Sequence, residues 1–314
     1  MTYNQAILDA TVQEMRRDSS VFVAGEDVHC KIKDIFEEFG PKRVKNMPIS
    51  EAQIIGLGVG AAAMGLRPLL HLSFMDFLGV CMDEIINQAA KMTYMLGGQT
   101  HIPMVIYANM GAGISAAAQH SQSLETIFAH IPGLKVVVPS DPVKAKGLMS
   151  QAIRDDNPVL FLDHKRLGGM KADVPDGPFT LPFGKADVVR EGNDISFITW
   201  GHMVHDCLEA ADRLAARGVS AEVIDIISLV PFDEETVLAS ATKTGRVVIA
   251  QEATLHAGFG GEIAARIADK AFASLKKPIK RVGAPFIPTP FSPALENIYL
   301  PSAETVVKTA EEIL

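Results

Sequence analysis

Cysteine is scarce in this chain. Cys30, Cys81 and Cys207 are the only three among 314 residues, and no two are spaced as Cys-x-x-Cys. Neither a disulfide framework nor a thiolate zinc site is expected, and this usage suits a reducing compartment. Basic residues are outnumbered, 29 Lys and Arg against 37 Asp and Glu, for a formal net charge of −8. The basic face that a nucleic-acid binder needs is missing. The one basic cluster, Lys276-Lys277-Pro278-Ile279-Lys280-Arg281, reads as a solvated loop. No apolar run approaches the ~18 residues of a membrane span. The start, Met1-Thr2-Tyr3-Asn4-Gln5, has neither the basic flank nor the apolar run of a signal peptide. A cytoplasmic protein with no membrane or nucleic-acid partner is expected. A hydrolase elbow of the Gly-x-Ser-x-Gly type is also absent.

Hydrophobic residues make up 48% and charged residues 21%, enough for a large core and against disorder. At about 150 residues per domain, the length suggests roughly two domains. Short apolar runs such as Val21–Ala24, Leu69–Leu72, Met104–Tyr107, Leu134–Val138 and Val159–Leu162 alternate with helical patterns of ten or more residues, among them Glu51–Met64, Phe77–Met95 and Pro142–Arg154. That alternation predicts parallel sheets covered on both faces. It breaks at a stretch carrying Pro175, Gly177, Pro178, Pro182 and Gly184, then restarts at Ile195–Trp200. The fold class is therefore α/β with two doubly wound domains: 1–170, a linker 171–192, and 193–314.

Three groups of residues could carry chemistry. Ser50-Glu51-Ala52-Gln53 fits a capping box, with Ser50 as N-cap and Gln53 reaching back. Glu51 then holds the first helical position, where the helix dipole favours an anion. It is either an ordinary first-turn acid or a functional one. The helix that follows is built of Gly56, Gly58, Gly60, Ala61, Ala62, Ala63 and Gly65. Each interior glycine costs about 1 kcal/mol relative to alanine, so close packing must compensate. The same glycines match a loose dinucleotide fingerprint, but the helix starts five residues too early for it. Next comes Phe74-Met75-Asp76-Phe77, and then Gln119-His120-Ser121-Gln122 after a run of small residues. That polar cluster is either a functional segment or a plain helix N-terminus. A carboxylate, an aromatic platform and a histidine would together suit the aminopyrimidine ring of thiamine diphosphate.

At these residues the chain resembles the beta subunits of thiamine-diphosphate-dependent 2-oxo acid dehydrogenases, of the transketolase-like superfamily. The resemblance runs over essentially the whole length. It is carried by Pro48-Ile49-Ser50-Glu51, Ala62-Ala63-Met64-Gly65-Leu66-Arg67-Pro68, Ile86-Asn87-Gln88-Ala89-Ala90-Lys91, Gln119-His120-Ser121-Gln122-Ser123-Leu124-Glu125 and Ala152-Ile153-Arg154-Asp155-Asp156-Asn157-Pro158. Acetoin and pyruvate dehydrogenase are the nearest in kind. The stretches Asp76–Val80 and Phe161–Lys165 lean toward acetoin. The resemblance implies a pyrimidine-binding domain followed by a transketolase-type C-terminal domain, and an oxidoreductase that passes an acyl group to lipoamide. It implies that Glu51 bonds the pyrimidine nitrogen and Phe77 packs against the ring. His120 would line the channel where substrate and lipoyl group meet. Ala152, Ile153, Asp155 and Asn157 would correspond to a loop that holds a structural potassium ion in some members. His71, Ser73 and Leu167-Gly168-Gly169 depart from the family pattern.

One half of such a site is missing. No Gly-Asp dipeptide occurs in the sequence, so the chain lacks the Gly-Asp-Gly turn that holds Mg²⁺ and diphosphate. An alpha subunit would supply it, in an α2β2 assembly with a beta–beta contact, and a lipoyl acyltransferase would take the product. Two other readings are a split transketolase half acting on sugar phosphates and a non-catalytic assembly subunit.

Overall fold

The computed structural model describes residues 1–314. Cα proximity divides them into two compact units. The first comprises Met1–Met110, Ile127–Asp163 and Leu167–Phe183; the second comprises Gly111–Thr126, His164–Arg166 and Gly184–Leu314.

The first unit is built on strands β1 (Val21–Glu26), β2 (Val44–Met47), β3 (Arg67–Leu72), β4 (Val105–Met110), β5 (Lys135–Val137) and β6 (Val159–His164), in the spatial order β5-β6-β4-β3-β1-β2. β1 pairs in parallel with β2 and β3, and β3 with β4. β1 and β6 are buried along their whole length, as strands covered on both faces must be. The chain passes from β1 outward to β2 and then returns to the other side at β3. The crevice at the carboxyl ends of β1 and β3 is thus the topological switch point, where open α/β sheets bind ligands.

Helix Glu51–Ala63 packs on β3 and on the turns that follow it. A Cβ on Gly58 would lie 2.2 Å from Cδ1 of Leu70, so part of the small-residue pattern serves this contact within the chain. Gly60 and Gly65 face open space. Ser50 is the N-cap as expected, but its side chain makes no capping bond; only its carbonyl is engaged, accepting from the Ile54 N–H at 3.0 Å. The backbone at Ser50 (φ −158°, ψ 80°) accounts for the missing capping box.

Helix Tyr3–Arg17, which the sequence reading left out, packs along helix Pro142–Arg154. Glu14, fully buried, takes both guanidinium donors of Arg154 and a bond from Arg17. The expected helix 77–95 is not continuous. It is a 3-10 turn Met75–Cys81, a π turn Glu84–Ala89 and a short helix Met92–Met95. π turns of this sort often accompany functional sites.

The second unit holds a sheet in the order β12-β11-β8-β9-β7, with β7 at Asp187–Arg190, β8 at Ile195–Thr199, β9 at Ala221–Asp225, β11 at Val247–Thr254 and β12 at Lys280–Ala284. A further short strand, β10, spans Ser228–Val230. β8, β9, β11 and β12 pair in parallel; β7 runs antiparallel to β9. Helices Met203–Ala215 and Ala303–Glu311 close over the core of Phe197, Val223, Val248 and Val306.

The stretch read as a linker has structure at both ends. Residues 187–190 form the edge strand β7. Earlier, Lys146, fully buried, pairs with Asp9 at 2.7 Å and donates to the carbonyls of Pro175 and Asp176. No helix is long and apolar enough to cross a membrane.

Candidate active site

In the first unit the carboxyl ends of the strands carry a group of acids. Glu26 ends β1 and Glu51 opens the helix after β2. Glu84 lies in the π turn, its Cγ the nearest heavy atom to a Cβ built on Gly56, at 3.8 Å. These carboxylates converge on Cys81: burial, then the charges of Glu84, Glu51 and Glu26, push its thiol up to about 12. Cys81 is thus an inert core thiol. Glu51 is buried, yet no group of the chain donates a hydrogen bond to it. Its carboxylate is therefore open to a donor from outside the chain. Phe77 lies in the 3-10 turn that packs against the Glu51 helix, edge-on to Phe74 at 6.1 Å. The structure therefore brings Glu51 and Phe77 onto neighbouring elements, at the carboxyl ends of the strands. An acceptor seeking a protonated nitrogen beside an aromatic face fits an aminopyrimidine.

Of the two departures near this crevice, Ser73 forms polar links and His71 a ring contact. Ser73 Oγ donates to Glu26 Oε2 at 2.9 Å and accepts from Lys31 Nζ at 2.7 Å, so it ties the end of β3 to β1. Glu26 Oε1 is buried without a partner. His71 lies tilted against Tyr107, ring centroids 4.7 Å apart, and borders a cavity of about 280 Å³. Burial, then the charge of Lys31, lowers its pKa to about 3, so it is neutral at ordinary pH. Tyr107 donates to Asp163 Oδ2 at 2.6 Å.

His120 belongs to the second unit. It is partly buried and closes a turn, its N–H donating to the Ala117 carbonyl at 3.4 Å. Its neighbours Gln119 and Ser121 line a cavity of about 580 Å³ together with Glu252, Phe286 and Tyr299. Glu252, near the end of β11, was not singled out from the sequence. It accepts from His164 Nε2 at 2.7 Å, the Ala112 N–H at 2.9 Å and Ser123 Oγ at 3.1 Å. Burial would raise its pKa, but these donors, His164 foremost, hold it well below the usual carboxylate range. The Arg166 N–H donates to Nδ1 of His164, leaving Nε2 as the donor to Glu252.

Glu125 was also missed as a site. It is fully buried, takes one bond from Trp200 Nε1 at 3.3 Å, and has its second oxygen unpartnered. Burial pushes it up to about 7.

In the loop with Ala152, Ile153, Asp155 and Asn157, several polar groups are engaged within the chain. Arg67 Nη1 donates to the carbonyls of Ile153 and Asp155 at 3.1 and 3.0 Å, and Lys135 pairs with Asp155 Oδ2. Both Asn157 nitrogens bond Asp155 Oδ1. The charge of Asp155 is matched from within the chain by Lys135.

Residues 1–171 match the transketolase pyrimidine binding domain, and residues 184–306 the transketolase C-terminal domain. Over its full length the chain is similar to dehydrogenase beta subunits. It is 46% identical to the acetoin:2,6-dichlorophenolindophenol oxidoreductase subunit beta of Cupriavidus necator, covering 98% of this chain and 96% of the relative. The chain belongs to this transketolase-type beta-subunit family. The 2-oxoisovalerate dehydrogenase subunit beta and the pyruvate dehydrogenase E1 component subunit beta of Bacillus subtilis are each 42% identical, covering 100% of this chain and 98% of the relative. A solved chain described as "split gene transketolase, inactive beta4 tetramer" superposes with a TM-score of 0.84 at 26% identity, covering 100% of this chain and 98% of that one. For a member of the family, the α/β class and the two transketolase-type domains are what the sequence reading expected.

Proposed function

We propose that this chain is the beta subunit of a thiamine-diphosphate-dependent dehydrogenase acting on acetoin or a 2-oxo acid such as pyruvate. The observation that carries this reading is the buried, donor-less Glu51 at the start of its helix, with Phe77 on the adjoining turn. When bound, thiamine diphosphate supplies the carbon nucleophile and the electron sink for breaking a carbon–carbon bond. Glu51 accepts the hydrogen bond of the protonated pyrimidine nitrogen and so fixes the proton there. Phe77 supports the ring. His120 gives or takes a proton as the acyl group moves to its acceptor, a lipoyl acyltransferase. The dehydrogenase relatives at 40–46% identity favour this over the transketolase likeness at 26%. Activity of the reconstituted complex with acetoin and with pyruvate, against a ketose phosphate plus an aldose, tests the substrate class. Turnover of the sugar pair alone would sink the dehydrogenase reading.

The missing Gly-Asp-Gly turn assigns Mg²⁺ and the diphosphate to an alpha subunit. Exposed apolar side chains give such a partner a surface: Ile49, Met64 and Tyr94 in the first unit are each at least 78% exposed. In the second unit Phe286, Phe291 and Ile298 are comparably open. We assign the latter to a beta–beta contact, with an α2β2 assembly overall. Obligate interfaces of this kind bury more than about 2,000 Å². Light scattering of the isolated chain at micromolar concentration is expected to give a dimer or larger; a clean monomer would leave the beta–beta contact unsupported.

A further inference from the structure

His120 sits near the end of a loop that has almost no regular structure of its own. Its base is pinned by the Gly111 N–H donating to the Gln122 carbonyl at 3.1 Å, so the segment is a compact Ω-type loop. Its middle is strained. Gly113 (φ 97°), Ser115 (φ 57°) and Ala117 (φ 61°) all adopt positive φ, which an L-residue avoids unless the surroundings impose it. Such backbone turns its N–H groups inward and makes an anion-binding concavity. Here the anion is the chain's own. Glu296, in helix Pro293–Tyr299, is 2% exposed and faces this hollow. Its Oε1 accepts from the Gly113 N–H at 2.8 Å; its Oε2 accepts from the Ser115 N–H at 2.9 Å and from Ser115 Oγ at 3.2 Å.

We infer that Glu296 is a positioning residue: its carboxylate straps the 111–122 loop in one conformation and so sets the placement of His120. Charge-assisted bonds from backbone N–H groups are among the stronger ones, and two of them to one buried carboxylate fix both the separation and the orientation of Gly113 and Ser115. Without that charge the N–H groups of Gly113 and Ser115 lose their acceptor in the middle of the loop. The loop then samples other conformations, and His120 spends only part of its time where a proton can be moved. A displacement of about 1 Å at a catalytic group can cost roughly 10²-fold in rate. The functional part of this inference rests on the role proposed above for His120; the structural part does not.

The test compares Glu296→Ala and Glu296→Gln in the full chain by amide hydrogen exchange, and in the reconstituted complex by kinetics, with His120→Ala alongside. Glu296→Ala is expected to speed exchange at Gly113, Ser115 and His120, and to lower kcat by about 10²-fold with KM for the first substrate little changed. Glu296→Gln keeps the shape but removes the charge and turns an N–H₂ donor toward one of the two backbone N–H groups, so it should also speed exchange and slow the rate, by less than alanine does. If the alanine variant does not fold, the glutamine variant carries the comparison by exchange at Gly113 and Ser115. Unchanged exchange overturns the strap whatever the kinetics. Faster exchange with normal kcat, where His120→Ala is slow, overturns the positioning role. Faster exchange with both variants at normal rate upholds the strap and removes the role of His120 instead.

Discussion

Glu51→Gln, in the chain assembled with its alpha subunit, is expected to lower turnover by about 10²–10³-fold or more. The substitution keeps the size and shape of the side chain and leaves the helix start intact, because Glu51 makes no capping bond and Ser50 contributes only its carbonyl. What it removes is the negative charge. A glutamine can still touch a ring nitrogen, but it cannot stabilise the proton that the nitrogen must hold. The acids around Cys81 do not substitute for it, since Glu26 is committed to Ser73 and Glu84 belongs to another turn. Assembly and cofactor affinity should change far less than the rate. Near-normal turnover in an intact complex would show that Glu51 is only a favourable first-turn acid.

Glu125→Gln is expected to change how stability depends on pH, by about 3 kcal/mol between the ordinary glutamate value and about pH 7. Burial raises the Glu125 carboxyl from the ordinary glutamate value to about 7, and Trp200 satisfies only one of its oxygens. A folded-state pKa above the unfolded one means that the folded protein holds the proton where the unfolded chain has lost it. The contribution is therefore fully present below about pH 4.5 and lost as pH rises through about 7. That span corresponds to about 3 kcal/mol for a fully buried group. His71 and His202, whose pKa values are lowered by burial, act in the opposite sense at acid pH. The comparison is therefore of variant against wild type rather than of wild type alone. Urea unfolding of the isolated chain at pH 5 and pH 8 should show the variant gaining on the wild type at the higher pH. A difference that is the same at both pH values would mean that Glu125 is ionised throughout.

Sequence alone made the architecture readable because its signal is local. Parallel strands buried on both faces read as continuous apolar runs, and β1 and β6 begin with such runs, Val21–Ala24 and Val159–Leu162. The helix at Glu51 was equally legible from its start and its small residues. The region 75–95 was not, because its composition suits a helix while the packing of Met75, Leu78 and Cys81 fixes a tighter turn and then a wider one. Helix Tyr3–Arg17 went unnoticed although Thr2 and Gln5 form a complete capping box. Glu51, Phe77 and His120 could be named only because they sit in long matching motifs. Glu125, Glu252 and Glu296 could not, since what makes each of them special is a donor or an apolar wall supplied from over seventy residues away. Arg67 and Lys135 are the converse case: they answer the charge of the 152–157 loop from distant strands, which no spacing in that loop reveals.

The central claim is that this chain holds only the pyrimidine half of a cofactor site. Isothermal calorimetry with thiamine diphosphate and Mg²⁺ tests it most directly, on the chain alone and on the chain mixed with its alpha subunit. The chain alone is expected to bind weakly or not at all, because it has no Gly-Asp-Gly turn to match the diphosphate's charge, and the mixture to bind tightly and only with Mg²⁺. Tight, Mg²⁺-dependent binding to the chain alone would contradict the account.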